Sequence, residues 1–470
     1  MKRMKNTAIL LAAALGLCAG LGSCAGGAED VRTAIGRSDE KFRYVCYGTP
    51  FYENIGEVPY GAHPDQNTEE NWQIIADCGF NYAMPINDIT HEQIISTLEQ
   101  AQKAGIKVLI MDYLPNGLPQ LIGRSENRSY NETMALIEES EEVFIERYTL
   151  YASYESFAGI QIKDEPSAGF YNAISAGQDW WHEHFPEYEY YCNLLPSYAS
   201  YLQLFGSEAD SGYRYPDYVE RFVETTNPAY LSYDHYPFQR SGVGATIRPA
   251  YLYDLETFAE ASKKYDIPFY CYQQCTEHLT YTGPETYREY AWQVYTALTY
   301  GCRGLQTFKY WAYMVPEVNS NNLGNGLVDP DGNRMPLYYA VQQVNREISS
   351  FEELYMNFSW EGTMPIGSSG GSAYSLLRNP LETLYGVEKV SAEGDAIIGQ
   401  FKDNRGNKAY MVTNYISPYK NESNLVTMKF KTAEKVLICK KGRQIVQKLN
   451  NHMLTMQIGP GEGYFVIPVL

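Results

Sequence analysis

The 470-residue sequence predicts an α/β fold: a (β/α)8 TIM barrel followed by a small C-terminal antiparallel β-sandwich domain. Three observations carry this expectation. From residue 41, short apolar, β-branched or aromatic runs alternate with longer segments of helical period, the pattern of parallel βα units. Eight such units can be counted. Beyond residue 372 the helical period gives way to short runs broken by Asp-Asn, Gly-Asn and Gly-Pro turns, as in antiparallel sheets.

In chain order, barrel strands are expected at 42–48, 81–86, 107–113, 159–164, 188–194, 230–236, 268–273 and 304–311. Helices are expected between them at Glu69–Asp77, 91–104, 132–154, 252–264 and 284–300. Ala104-Gly105 stops one helix directly before the apolar run at 106–110, and Cys78-Gly79 stops another before Phe80. An open doubly wound sheet would carry a glycine-rich phosphate turn after its first strand, and Gly48-Thr49-Pro50 is not one. An eighth helix is expected at 337–355, followed by the Gly/Ser run 367–372 as a boundary loop. Short strands then follow at 396–401, Lys408–Asn414, 425–430, 435–437, Met453–Ile458 and 463–467. The domain expectation is a barrel at 41–357 and a sandwich at 358–470, preceded by a signal at 1–23 and a linker at 24–40.

The N-terminus reads as an export signal, because Lys2, Arg3 and Lys5 precede an apolar run at 8–21 that is too short to span a bilayer comfortably. It closes on Leu21-Gly22-Ser23-Cys24, which resembles a bacterial lipobox; the thiol of Cys24 would take the lipid and become the first mature residue. The alternative is an ordinary signal peptide cut near the same small residues. The lipobox implies an outer-membrane lipoprotein, periplasmic or surface-exposed, held through its lipid rather than a spanning helix.

A formal net charge of −19 without clustered Lys or Arg excludes nucleic acid as a partner. Seven cysteines follow Cys24, an odd number, and most lie in apolar stretches; they read as core residues with at most one disulfide. Cys271 and Cys275 lack the matching second pair of a zinc site, so no metal or organic cofactor is implied. The 43 tyrosines offer apolar faces with polar rims, suited to stacking on sugars, although tyrosine also favours strands.

In such a barrel, chemistry sits at the C-terminal strand ends. The fourth strand ends in Lys163-Asp164-Glu165-Pro166, three ionisable side chains that a barrel interior does not accept unpaired. Asp112, Asp234, His235, Tyr236, Gln274, Lys309, Tyr310 and Trp311 lie at other expected strand ends and read as pocket-lining residues.

Asp164-Glu165-Pro166 resembles the Asn-Glu-Pro of the large clan (clan A) of barrel glycoside hydrolases, whose Glu is the acid/base; Asp stands here for the usual Asn. Three further segments, 232–238, 300–311 and 325–332, resemble the family 42-like barrels found among lipid-anchored bacterial polysaccharide-processing proteins. The resemblance covers most of residues 40–355. It implies an O-glycosyl hydrolase acting on an oligo- or polysaccharide, with Glu165 as general acid/base. It also implies a nucleophilic Glu on strand seven, where this chain reads Gln273-Gln274. Glu277 or Asp234 then supplies the second carboxylate. The competing expectation is a carbohydrate-binding lipoprotein on a barrel that has lost its nucleophile.

Overall fold

The computed structural model describes residues 38–50, 52, 65–86, 90–208, 211–242, 244–277, 280–311, 326–329, 331–367 and 371–469. The export signal and Cys24 lie outside them.

Eight parallel strands form the barrel: β1 (Arg43–Tyr47), β2 (Tyr82–Met84), β3 (Lys107–Ile110), β4 (Phe157–Asp164), β5 (Glu189–Asn193), β6 (Leu231–Tyr233), β7 (Phe269–Gln274) and β8 (Gly304–Phe308). Hydrogen-bonded neighbours run β5-β4-β3-β2-β1-β8-β7-β6. The ring closes between β5 and β6 through a Leu194–Tyr233 bridge, where the Leu194 N–H donates to the Ser232 carbonyl at 2.8 Å. Several strands are shorter at their C-terminal ends than the apolar runs suggest, because those residues leave the ladder at the barrel mouth. Gly159, at φ +145°, lets β4 and β5 approach: a Cβ there would lie 2.1 Å from the Glu189 carbonyl oxygen.

Helices Glu69–Asp77 and His91–Lys103 stand where expected, each capped by a threonine whose Oγ accepts a first-turn N–H. The segment expected as one helix at 132–154 is two, Tyr130–Glu139 and Glu141–Ala152, interrupted at Ser140. Helices Tyr171–His184 and Tyr215–Thr226 fill the crossovers after β4 and β5, and a hairpin (Phe238–Ser241 with Gly244–Ile247) projects beyond β6.

Arg43 plugs the lower end of the barrel. Its guanidinium lies 2.7 Å from Glu189 and 4.3, 4.7 and 5.2 Å from the ring centres of Tyr82, Tyr270 and Tyr230. Removing one partner of a largely buried ion pair leaves the other charge without compensation. Arg43→Ala is therefore expected to cost about 3–5 kcal/mol, read from the urea midpoint at constant m-value; a loss below about 1 kcal/mol, the scale of an exposed pair, would show that the plug contributes little.

The C-terminal module contains β9 (Phe358–Ile366), β10 (Val387–Ala392), β11 (Ala396–Asp403), β12 (Lys408–Asn414), β13 (Asn424–Phe430), β14 (Lys435–Lys440), β15 (Arg443–Lys448), β16 (Met453–Ile458) and β17 (Gly463–Val469). A six-stranded sheet (β9-β11-β12-β17-β14-β15) faces a three-stranded one (β10-β13-β16), and all pairings are antiparallel. Side chains alternate across the larger sheet. Ile398, Tyr410, Val412 and Val466 pack into the sandwich, whereas Ile397, Met411, Phe465 and Ile467 pack onto the barrel's core. This sheet is thus a middle layer, apolar on both faces. The Gly/Ser run 367–372 follows β9 and so lies inside the module instead of bounding it.

Candidate active site

The carboxylates are set by an irregularity in β4. Gln161 pairs with Tyr191, but Lys163 pairs with Cys192, so one extra residue is inserted at Ile162. Such a bulge switches the faces of the residues after it. Ile160 and Ile162 pack outward into the helix layer, and Lys163 also points away, its ammonium 5.0 Å from the centre of the Phe170 ring. Asp164 thereby turns toward the barrel axis. Glu165 follows at φ +47°, a left-handed conformation that costs a non-glycine residue on the order of 1 kcal/mol. Its N–H donates to the Asn193 carbonyl at 2.9 Å, and Tyr218 O–H donates to the Pro166 carbonyl at 2.7 Å.

Asn193, at the end of β5, joins the acids. Its Nδ2 donates to Asp234 Oδ1 at 3.1 Å and to Asp164 Oδ1 at 3.3 Å, and its Oδ1 accepts from Ser232 Oγ at 3.0 Å. Ser232 Oγ in turn accepts from Gln306 Nε2 at 2.7 Å, so the arrangement is braced from within the barrel. Asp234 and Glu165 are electrostatic neighbours: Asp234 favours ionised Glu165, while the Glu165 charge disfavours ionised Asp234. Burial, with the Asp164 charge second, pushes Glu165 up to about 7. Burial and then the Glu165 charge push Asp234 well above the usual carboxylate range. Asp164 is also raised by burial, against the pull of Asn193 and Lys163. The cluster can therefore hold a transferable proton at neutral pH while Glu165 stays at the surface of the mouth.

Tyrosines edge the mouth. Tyr236 lies 5.3 Å from Phe308 and 5.6 Å from Tyr281, measured between ring centres, and the Asp234 and Glu165 charges act on it. Tyr113, 47% exposed, stands where the Asp164 charge reaches it. On its outer side Glu165 borders a groove of about 410 Å³ shared with Glu126, Asn127, Ser167, Phe170 and Gln203. Most other tyrosines are core residues, among them Tyr148, Tyr151, Tyr191, Tyr218, Tyr233, Tyr290 and Tyr295.

Of the residues singled out in the sequence, Asp164, Glu165, Asp234 and Tyr236 meet at this mouth. The others have structural partners. Glu277 is ion-paired with Arg240 of the hairpin. Asp112 accepts from Arg147 at 3.1 Å and from Tyr148 at 2.8 Å. His235 Nδ1 lies 2.7 Å from Asp254, which also accepts the Ser197 N–H at 2.9 Å. Gln274 holds the loops above it: its Oε1 accepts the Phe238 N–H at 3.1 Å, and its Nε2 donates to the Thr282 carbonyl at 2.7 Å. Lys309, Tyr310 and Trp311 are buried beyond β8, and burial brings the Lys309 ammonium down to about 6. All seven described cysteines are buried thiols; Cys271 neighbours Cys302, at 3.4 Å between sulfurs. Asn193 was not singled out, although a polar residue ending the apolar fifth strand is a visible signal.

No protein-family model and no curated protein sequence matches the chain. Solved structures do. A glycoside hydrolase aligns at 12% identity over 93% of this chain and 95% of its own, with a TM-score of 0.52. A family 5 glycoside hydrolase from Bacteroides vulgatus aligns at 12% identity over 93% and 94%, with a TM-score of 0.51. These likenesses show the fold. A β-galactosidase from Marinomonas ef1 aligns less closely, at 11% identity and a TM-score of 0.47, over 67% of this chain and 62% of its own length. The barrel is of the kind that glycoside hydrolases use, and because one barrel carries many chemistries, activity resides in the site and not in the fold.

Proposed function

We propose that this protein is a glycoside hydrolase that cleaves O-glycosidic bonds in an oligo- or polysaccharide, with Glu165 as general acid/base. The observation that carries this reading is the Glu165–Asp234–Asp164 cluster at the barrel mouth, joined through Asn193, in which Glu165 is raised to about 7. A general acid with a pKa of about 7 keeps a large protonated fraction at neutral pH and gives up its proton as the leaving oxygen develops charge. Asp234 is the better second carboxylate because Arg240 occupies Glu277. An arriving glycosidic oxygen takes the proton of Glu165, and Asp234, in its ionised form, acts on the anomeric carbon or on a water. Tyr236 and Tyr113 supply stacking faces for sugar rings. The segments at β6 and β8 support a family 42-like assignment. The Cys24 motif supports a lipid-anchored protein of the bacterial outer membrane, periplasmic or surface-exposed.

Turnover of a glycan panel as a function of pH tests the reading. Since the acid works protonated, kcat/KM is expected to fall about tenfold per unit as pH rises through about 7; a flat profile from pH 6 to 9 would remove Glu165 from the acid role. The second reading, a carbohydrate-binding protein without turnover, draws on β7, which ends in two glutamines, one of them consumed by loop contacts. Binding across the panel with no hydrolysis would select it.

A further inference from the structure

Arg248 emerges where the chain returns from the hairpin to the barrel, its N–H donating to the Pro237 carbonyl at 2.8 Å. Its guanidinium lies 3.8 Å from the ring centre of Tyr198 and 5.5 Å from that of Tyr281. Tyr281 contacts Tyr236, and the Asp234 charge acts on both Tyr198 and Tyr236, so this arginine stands on the rim of the candidate site. Among the described residues no carboxylate lies within ion-pair distance of it, and its Nε is buried without a hydrogen-bond partner. In a chain with 56 acidic against 37 basic side chains, a half-buried cation lacking a carboxylate stands out. Two rings hold the guanidinium plane, while among the described residues its forked donors meet no acceptor; that geometry matches a two-oxygen anion.

We propose that Arg248, with Tyr198 and Tyr281, forms a subsite that reads an anionic substituent of the glycan, the carboxylate of a uronic acid or a sulfate ester. This rests on the glycosidase reading and adds the substrate class to it. The neighbouring acids do not forbid an anion there, because burial raises Asp164, Glu165 and Asp234 together and the cluster carries less than its full negative charge. Tyr198 and Tyr281 flank the guanidinium, and the Asp234 charge reaches Tyr198 and Tyr236, so a sugar lying along these rings runs from the acids toward the cation.

The test uses the full chain as the Glu165→Gln protein, which should hold glycans without cleaving them. It is applied to a glycan array whose acidic members are paired with carboxyl-reduced or desulfated counterparts. Acidic members are expected to bind between about 10- and 100-fold more tightly than their neutral partners, the range of a charge-assisted hydrogen-bonded contact. In Arg248→Gln that ratio is expected to fall close to one, and in Arg248→Lys, which keeps the charge and loses the fork, to lie between. Whether carboxyl reduction or desulfation abolishes the preference identifies the anion. Equal binding of neutral and acidic members, or a ratio unchanged by Arg248→Gln, would overturn the subsite and leave the glycosidase reading standing. Absence of binding to any member would overturn both.

Discussion

Glu165→Gln is expected to lower kcat by between about 10²- and 10⁴-fold, the span that a positioned proton donor contributes. The amide keeps the shape of the side chain but has no acidic proton. Thermal stability should hold or rise slightly, because the substitution removes a carboxyl from a cluster whose members raise one another's pKa. The loss should be smallest for glycosides with acidic leaving groups, such as nitrophenyl sugars, which depart without protonation. This dependence separates an acid from a residue that merely shapes the mouth. Turnover within tenfold of the parent on an unactivated glycan would end the assignment.

Asp234→Asn is the second large effect, a fall in kcat/KM of about 10²-fold or more if this carboxylate acts on the reacting sugar or its water. The substitution also has a pH signature with a definite sign. In the parent, burial and the Asp164 charge hold Glu165 up at about 7, and the pair titrates jointly with Asp234. Asparagine brings no negative charge, and its Nδ2 can donate permanently to the Glu165 carboxylate while its Oδ1 accepts from Asn193. Both changes favour ionised Glu165, so the falling limb of the residual activity should move to lower pH. A limb that stays near 7 would mean that Asp234 is not coupled to the acid.

The barrel was legible because its cause is local and repeated. Apolar runs such as 106–110 and 304–308, punctuated by Ala104-Gly105 and Gly301, recur at the spacing of βα units. The interrupted helix at Ser140 and the crossover helix Tyr171–His184 were less legible, since short amphipathic segments carry weak periodicity. The strand β9 was missed for another reason: its partner β11 lies some thirty residues on, and only that pairing makes the segment a strand.

At the site, position in the sequence located strand ends but not directions. The run Lys163-Asp164-Glu165 names three charged groups, and the bulge at Ile162 decides that Lys163 points away while Asp164 points in. Gln274, Asp112 and His235 occupy strand ends as expected, yet each is bound to a neighbour that comes from a distant part of the chain. Arg248 and Tyr198 carry no motif at all and meet only because two loops converge. The sequence by itself determined the barrel, the sandwich and the acidic end of the fourth strand, because apolar period and glycine breaks act over a few residues. Which carboxyls act on one another and which are spent on structure was decided by the closed ring of strands. Those properties depend on distance and burial, and both arise only when segments far apart in the chain are brought together.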